Sequence, residues 1–121
     1  MNRALIFLTT VFAAAFAAGC GGSSSSSPTT PTTSADVTIN IVGDRGNQSY
    51  SPNPTSMRVG QSVSWRNNDT TVHDSTQDNG GFATGTINPG ATSAPRSMAA
   101  AGTFTYHCTI HPGMVGTITV Q

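Results

Sequence analysis

The chain of 121 residues contains no lysine and no glutamate. Its only fixed charges are five arginines and five aspartates, 8% of the residues, for a formal net charge of +0. That scarcity excludes the basic stripe with which proteins grip nucleic acid. It also excludes a charge field strong enough to steer a highly charged partner. Cysteine is equally scarce: there are two, Cys20 and Cys108, too few for a disulfide framework. A bridge between them is disfavoured, because a polar segment without large apolar residues separates Cys20 from the rest. Long hydrophobic runs are missing as well. The one apolar stretch, residues 4–18, falls short of the roughly 20 residues that a membrane-spanning helix needs. There is one tryptophan, and no internal repeat.

What is present begins with a leader. A short basic start, MNR, precedes the apolar stretch, and Ala17-Ala18-Gly19-Cys20 follows. This order is that of a signal peptide. The small residues before Cys20 resemble a bacterial lipobox, with Ala17 in place of the usual leucine. The resemblance implies a lipoprotein signal peptide over 1–19, lipidation of Cys20, and a protein held at a membrane in the bacterial cell envelope, outside the cytoplasm. The alternative is an ordinary secreted protein cut near Gly19. The next stretch, GGSSSSSPTTPTTSA, carries no charge and nothing large and apolar. It cannot bury enough surface to offset its ordering entropy. Residues 20–35 therefore read as a tether and 36–121 as a single small domain.

Within the domain the periodicity is that of strands. Val37, Ile39 and Ile41 alternate with Thr38 and Asn40, and Val63 and Trp65 with Ser62, Ser64 and Arg66. Phe104, Tyr106 and Cys108 share one face of a strand, with Thr103, Thr105 and His107 on the other; Ile118 and Val120 repeat the pattern. Turn residues separate these runs at Asn67-Asn68-Asp69, Asn79-Gly80-Gly81 and Asn88-Pro89-Gly90. Short strands between turns predict an all-β sandwich or barrel. The run 99–101 is the one helix-like spot, with room for a turn or two between Pro95 and Gly102.

The densest chemistry lies in YHCTIHPGM, residues 106–114. Cys108, His111 and Met114 recur every third residue. On a helix they would share a face, but Pro112-Gly113 argues against a helix running through. A strand ending at Cys108, followed by a loop carrying His111 and Met114, fits better. Singly, each has an ordinary role: a buried thiol is a small hydrophobe, a methionine a core residue, a histidine a surface one. Together, sulfur and imidazole donors at this spacing suit a soft transition metal. Of the three histidines, His73 is the one outside this cluster and is the natural fourth donor. Two histidines, a thiolate and a weak methionine make a blue-copper electron-transfer set. Two histidines and a cysteine also suit zinc, although the methionine favours copper.

The stretches YSPNPTSMRVGQSVSWRNNDTTVH, FATGTINPG and AGTFTYHCTIHPGMVGTITV together resemble the cupredoxins, the small blue copper proteins of plastocyanin and amicyanin type, over nearly the whole domain. The resemblance implies a Greek-key β-sandwich and one copper per chain, with His73, Cys108, His111 and Met114 as ligands. It implies a one-electron carrier, a monomer working between a protein donor and acceptor, rather than an enzyme. A role in copper acquisition, storage or delivery is the alternative. Asp74 departs from the pattern. Many relatives place there an asparagine that bonds across to the cysteine loop, whereas an aspartate accepts but does not donate unless protonated. His107 should point away from the metal. In copper enzymes of related type a histidine beside the cysteine holds a second copper, but such centres need more imidazoles than this chain has.

Overall fold

A computed structural model describes residues 34–121. The expected signal peptide (1–19), the lipidation site Cys20 and all but the last two residues of the tether lie outside the described residues.

Among the described residues eight strands form two sheets. β1 (Val37–Ile41), β2 (Tyr50–Ser51), β4 (Ser62–Asn67) and β6 (Arg96–Ser97) make one, in the order β2-β1-β4-β6. β3 (Thr55–Met57), β5 (Thr76–Gln77), β7 (Gly102–His107) and β8 (Val115–Val120) make the other, in the order β3-β8-β7-β5. Pairing is antiparallel except for β1 with β4 and β3 with β8. This is the all-β sandwich that the alternating pattern predicts.

The alternation decides which side chains meet between the sheets. Ile39 and Ile41 of β1, Val63 and Trp65 of β4, Tyr106 of β7, and Ile118 and Val120 of β8 are all buried. The Trp65 ring packs against Phe82 at 5.2 Å and Tyr106 at 5.6 Å, and Tyr106 meets Tyr50 edge-on at 4.7 Å. Phe104 packs on the rim of this core rather than inside it. The sequence pattern departs from the structure at two places. Ser64, on the polar side of the alternation, is also buried, at 3% exposure. Residues 99–101 form no helical turn; they run into β7, and the one helical turn among the described residues is a 3-10 turn at Gly46–Gln48. The interval between Pro95 and Gly102 has length enough for a turn, but Arg96–Ser97 pair with β4 and the Met98 main chain bonds to Gln61 O and the Gly60 N–H, so its backbone groups are committed to the sheet rather than to a helix.

Candidate metal centre

Two segments converge at one end of the sandwich. The first follows β4. Asn67 is fully buried and organises the turn with its side chain. Its Nδ2 donates to Thr71 O at 2.7 Å and Ile87 O at 2.9 Å, and its Oδ1 accepts the Asp69 N–H at 2.9 Å. The chain then bridges to Ile87 through both main-chain groups of His73, at 3.2 and 2.7 Å. His73 is thereby fixed with its ring fully buried.

The second segment is the loop after β7. Cys108 stands just beyond the strand, fully buried. Its N–H donates to Met114 O at 3.1 Å, and the Met114 N–H donates to His111 O at 2.9 Å. The loop is closed at its ends, and Pro112-Gly113 makes the turn without needing a proline donor. Met114 is fully buried at the foot of this loop.

The rings and the thiol face one another. His73 Nδ1 and His111 Nδ1 each lie 3.9 Å from Cys108 Sγ and 3.1 Å apart. Ligating atoms of all three residues fall within 4.8 Å of one another. The two nitrogens are presented by different causes. His73 Nε2 is held by Asp69 Oδ2 at 2.8 Å and lies 3.1 Å from Thr71 Oγ1. With its N–H directed at a carboxylate, the neutral ring keeps its lone pair on Nδ1, toward the cysteine. The same bond holds the Asp69 carboxyl far below its ordinary value, to about 2, helped by the Thr70 and Thr71 donors. His111 is held by its position in the closed loop, and its ring is partly exposed.

Asp74 completes the link between the segments. Its N–H points at Cys108 Sγ, 3.4 Å away. Its carboxylate accepts the Thr109 N–H at 2.7 Å and the Thr109 hydroxyl. The aspartate thus bridges to the cysteine loop purely as an acceptor, because Thr109 supplies both donors. Tyr50 adds a buried bond from its hydroxyl to Asp74 O at 2.9 Å, and burial pushes its phenol above the usual range. His107 lies on the outer face, with Nδ1 2.6 Å from Asp78 Oδ1, and takes no part in the cluster. Bonds from Thr105, then His107, lower the Asp78 carboxyl.

The structure therefore brings His73, Cys108 and His111 together, with Met114 buried on the same loop and Asp74 alongside. Sequence reasoning overlooked Asp69, taken only as turn chemistry. Its signal is a carboxylate four residues before a histidine in a tight turn. The donor set fits copper: a buried thiol and two inward imidazole nitrogens surround one point, and one of those imidazoles is oriented by a carboxylate.

A profile of copper-binding proteins of the plastocyanin/azurin family matches residues 37–121. Among curated protein sequences none matches the chain. Solved structures do. A purple cupredoxin from Nitrosopumilus maritimus is 28% identical, with a TM-score of 0.63, over 71% of this chain and 100% of that one. A methionine-to-alanine variant of amicyanin in its Cu(I) form is 22% identical, with a TM-score of 0.61, over 70% of this chain and 81% of that one, a likeness of fold. A copper-containing nitrite reductase from Thermus scotoductus SA-01 is 28% identical over 70% of this chain, with a TM-score of 0.61, but the match takes in only 22% of that chain.

Proposed function

The chain belongs to the plastocyanin/azurin family of copper-binding proteins, and from that premise we propose that it is a one-electron carrier. His73 Nδ1, Cys108 Sγ and His111 Nδ1 would hold the copper, with Met114 as a weaker fourth ligand. The metal, when bound, supplies a Cu(II)/Cu(I) couple.

The observation that carries this reading is the convergence of two imidazole nitrogens on a buried thiol, each 3.9 Å away. What the chain itself contributes is rigidity and access. Asp69 locks the His73 ring, the Asp74 N–H faces the sulfur, and the 108–114 loop is closed by its own backbone. Donors fixed before the metal arrives cost little to rearrange when its charge changes. His111, by contrast, has a partly exposed ring. Around the two segments Val72, Ile110 and Val115 are exposed by 38–44%, beside Pro112 and Gly113. These exposed apolar side chains suit brief docking to a redox protein, with Asp44, beside Gly113, a charge to be desolvated there. Fixed, largely buried donors favour a carrier that keeps its copper over a protein that hands it on. We also propose that 1–19 is a lipoprotein signal peptide, that Cys20 carries the lipid, and that 20–35 tethers the domain at the membrane.

The test is the visible spectrum of the Cu(II)-loaded protein, followed by redox cycling in the presence of a copper chelator. A strong thiolate-to-copper band is expected, and it disappears in Cys108→Ser. Copper is expected to stay bound through repeated cycles. Survival of the band in Cys108→Ser overturns the ligand assignment. Loss of copper to the chelator on each reduction overturns the carrier reading in favour of delivery.

A further inference from the structure

The two sheets part along one flank. A cleft of about 390 Å³ opens there, between β6 on one side and β5 and β7 on the other. Phe82, Phe104, Pro95 and Met98 line it, with Arg96 and Gln77 as polar groups. Apolar and aromatic walls with a few placed polar groups are those of small-molecule sites. Among the described residues no carboxylate lines the cleft or pairs with Arg96. The Arg96 guanidinium donates to Ala83 O, which holds it at the rim. A planar ring in the cleft would lie against the phenyl groups of Phe82 and Phe104. An acid group on that ring would meet the guanidinium, whose flat fork matches a carboxylate.

Rings also join the cleft to the metal centre. Phe82, buried at the cleft wall, packs on Trp65 at 5.2 Å; Trp65 meets Tyr106 at 5.6 Å, and Tyr106 meets Tyr50 at 4.7 Å. The Tyr50 hydroxyl donates to Asp74 O at 2.9 Å, and the Asp74 N–H faces Cys108 Sγ at 3.4 Å. A row of contacts thus runs through the core from the cleft to the sulfur. Electrons cross a protein more readily through touching and hydrogen-bonded groups than across gaps.

We infer that the cleft is a second entry for electrons, that it binds a small hydroquinone carrying a carboxylate, and that the row Phe82–Trp65–Tyr106–Tyr50 couples it to Cys108. The inference rests on the carrier reading. The bound donor gives one electron to the oxidised site and one proton to solvent, and leaves as its one-electron-oxidised radical. No bond to the protein forms or breaks. The rings serve as a bridge and are not themselves oxidised, because neither phenol has a base to take its proton: Tyr50 donates to a carbonyl, and the Tyr106 hydroxyl has no partner among the described residues.

The probe is homogentisate, a hydroquinone with a carboxymethyl group, used without oxygen. In the metal-free full chain, homogentisate should cause saturable 15N amide shifts at Gln77, Met98 and Phe104 and none in the 108–114 loop. Arg96→Gln should weaken that binding about two- to fivefold, the worth of an exposed ion pair, and leave binding of plain hydroquinone unchanged. In the Cu(II)-loaded protein, bleaching of the visible band by homogentisate should saturate with its concentration. Ala100→Trp fills the cleft from an exposed position and should remove both the amide shifts and the saturation. Tyr50→Phe keeps the ring and deletes its bond to Asp74 O. It should bind homogentisate as the parent does, yet slow the saturated rate relative to reduction by hexaammineruthenium(II), a cation that Arg96 repels.

Absence of saturable shifts, saturation that survives in Ala100→Trp, or a Tyr50→Phe rate that is unchanged or falls equally with both reductants would each overturn the proposal. Should Ala100→Trp not fold, Arg96→Gln decides in its place: half-saturation of the bleaching must shift by the same factor as the metal-free affinity, and an unmoved half-saturation counts against the cleft. Failure of the carrier reading looks different. The visible band would be missing, or copper would be lost on reduction, while homogentisate still bound the metal-free chain.

Discussion

Asp74 shows how much one side chain can settle. Aspartate at this position raises the question of how it could replace an asparagine that donates to the cysteine loop. The structure answers with Thr109, whose N–H and hydroxyl both donate to the carboxylate. The link is kept with its polarity reversed, and the Asp74 main chain still directs its N–H at Cys108 Sγ, 3.4 Å away. The cost is a carboxylate beside the thiol, which favours the more positive metal state. Asp74→Asn should therefore raise the reduction potential while leaving the fold and the visible band in place, because an amide oxygen can still accept the Thr109 N–H. Redox titration checks this, and an unchanged or lowered potential would contradict it. Asp69 acts from the other side, as the acceptor that leaves His73 Nδ1 free for the metal.

At the scale of elements, β7 and β8 place the ligand loop. They pair over six residues on each strand, from Gly102↔Val120 to His107↔Val115, so Cys108 and Met114 face each other where the pairing ends. One position in this pair has no slack. Gly116 lies opposite Tyr106, and a Cβ on it would reach 2.7 Å from Tyr106 Cε2 and collide with the rest of the phenol. Tyr106 is wedged between Trp65 and Tyr50 and cannot withdraw. Gly116→Ala should therefore destabilise the domain by about 1–3 kcal/mol, the usual range for overpacking a filled core. Urea unfolding of the metal-free protein measures it. A loss under about 0.5 kcal/mol, the scale of an ordinary surface change, would mean that the Tyr106 ring can move aside. The β4–β5 connection makes the opposite contribution. It is irregular chain whose shape comes from the buried Asn67 amide and the His73–Ile87 bridge rather than from strand pairing.

For the whole molecule, the charge inventory and the proposed lipid anchor point the same way. A domain with no lysine and no glutamate exposes Val72, Ile110 and Val115 next to the site-bearing segments and has few charges to hold a partner for long. Brief encounters suit a carrier. A lipid on Cys20, as proposed, would keep such a carrier close to membrane partners. Cys20→Ala should move the protein out of the membrane fraction or block its processing, as cell fractionation and the mass of the mature chain would reveal. Correctly cut protein recovered in membranes at the parent level would rule out the lipid anchor.

The amino-acid order alone determined the strand periodicity, the break at Pro112-Gly113 and the placing of Cys108, His111 and Met114 on one loop. These are local properties, set by side-chain alternation and by proline's missing donor, and they are legible without a fold. His73 was legible by elimination, being the one histidine outside the cluster. The tertiary structure decided what depends on residues far apart in the chain. It burned no local signal into Ser64, which is covered despite sitting in the polar register, and residues 99–101 lost their helical turn to the start of β7. It gave Asp69 its part: the carboxylate is only four residues from His73, but the turn that brings it to Nε2 is shaped by the Asn67 amide and the bridge to Ile87. It gave Thr109 the task of answering Asp74, 35 residues away. A hydrogen bond has a direction and a length of about 3 Å, and neither is written in residue spacing once the partners lie on different strands.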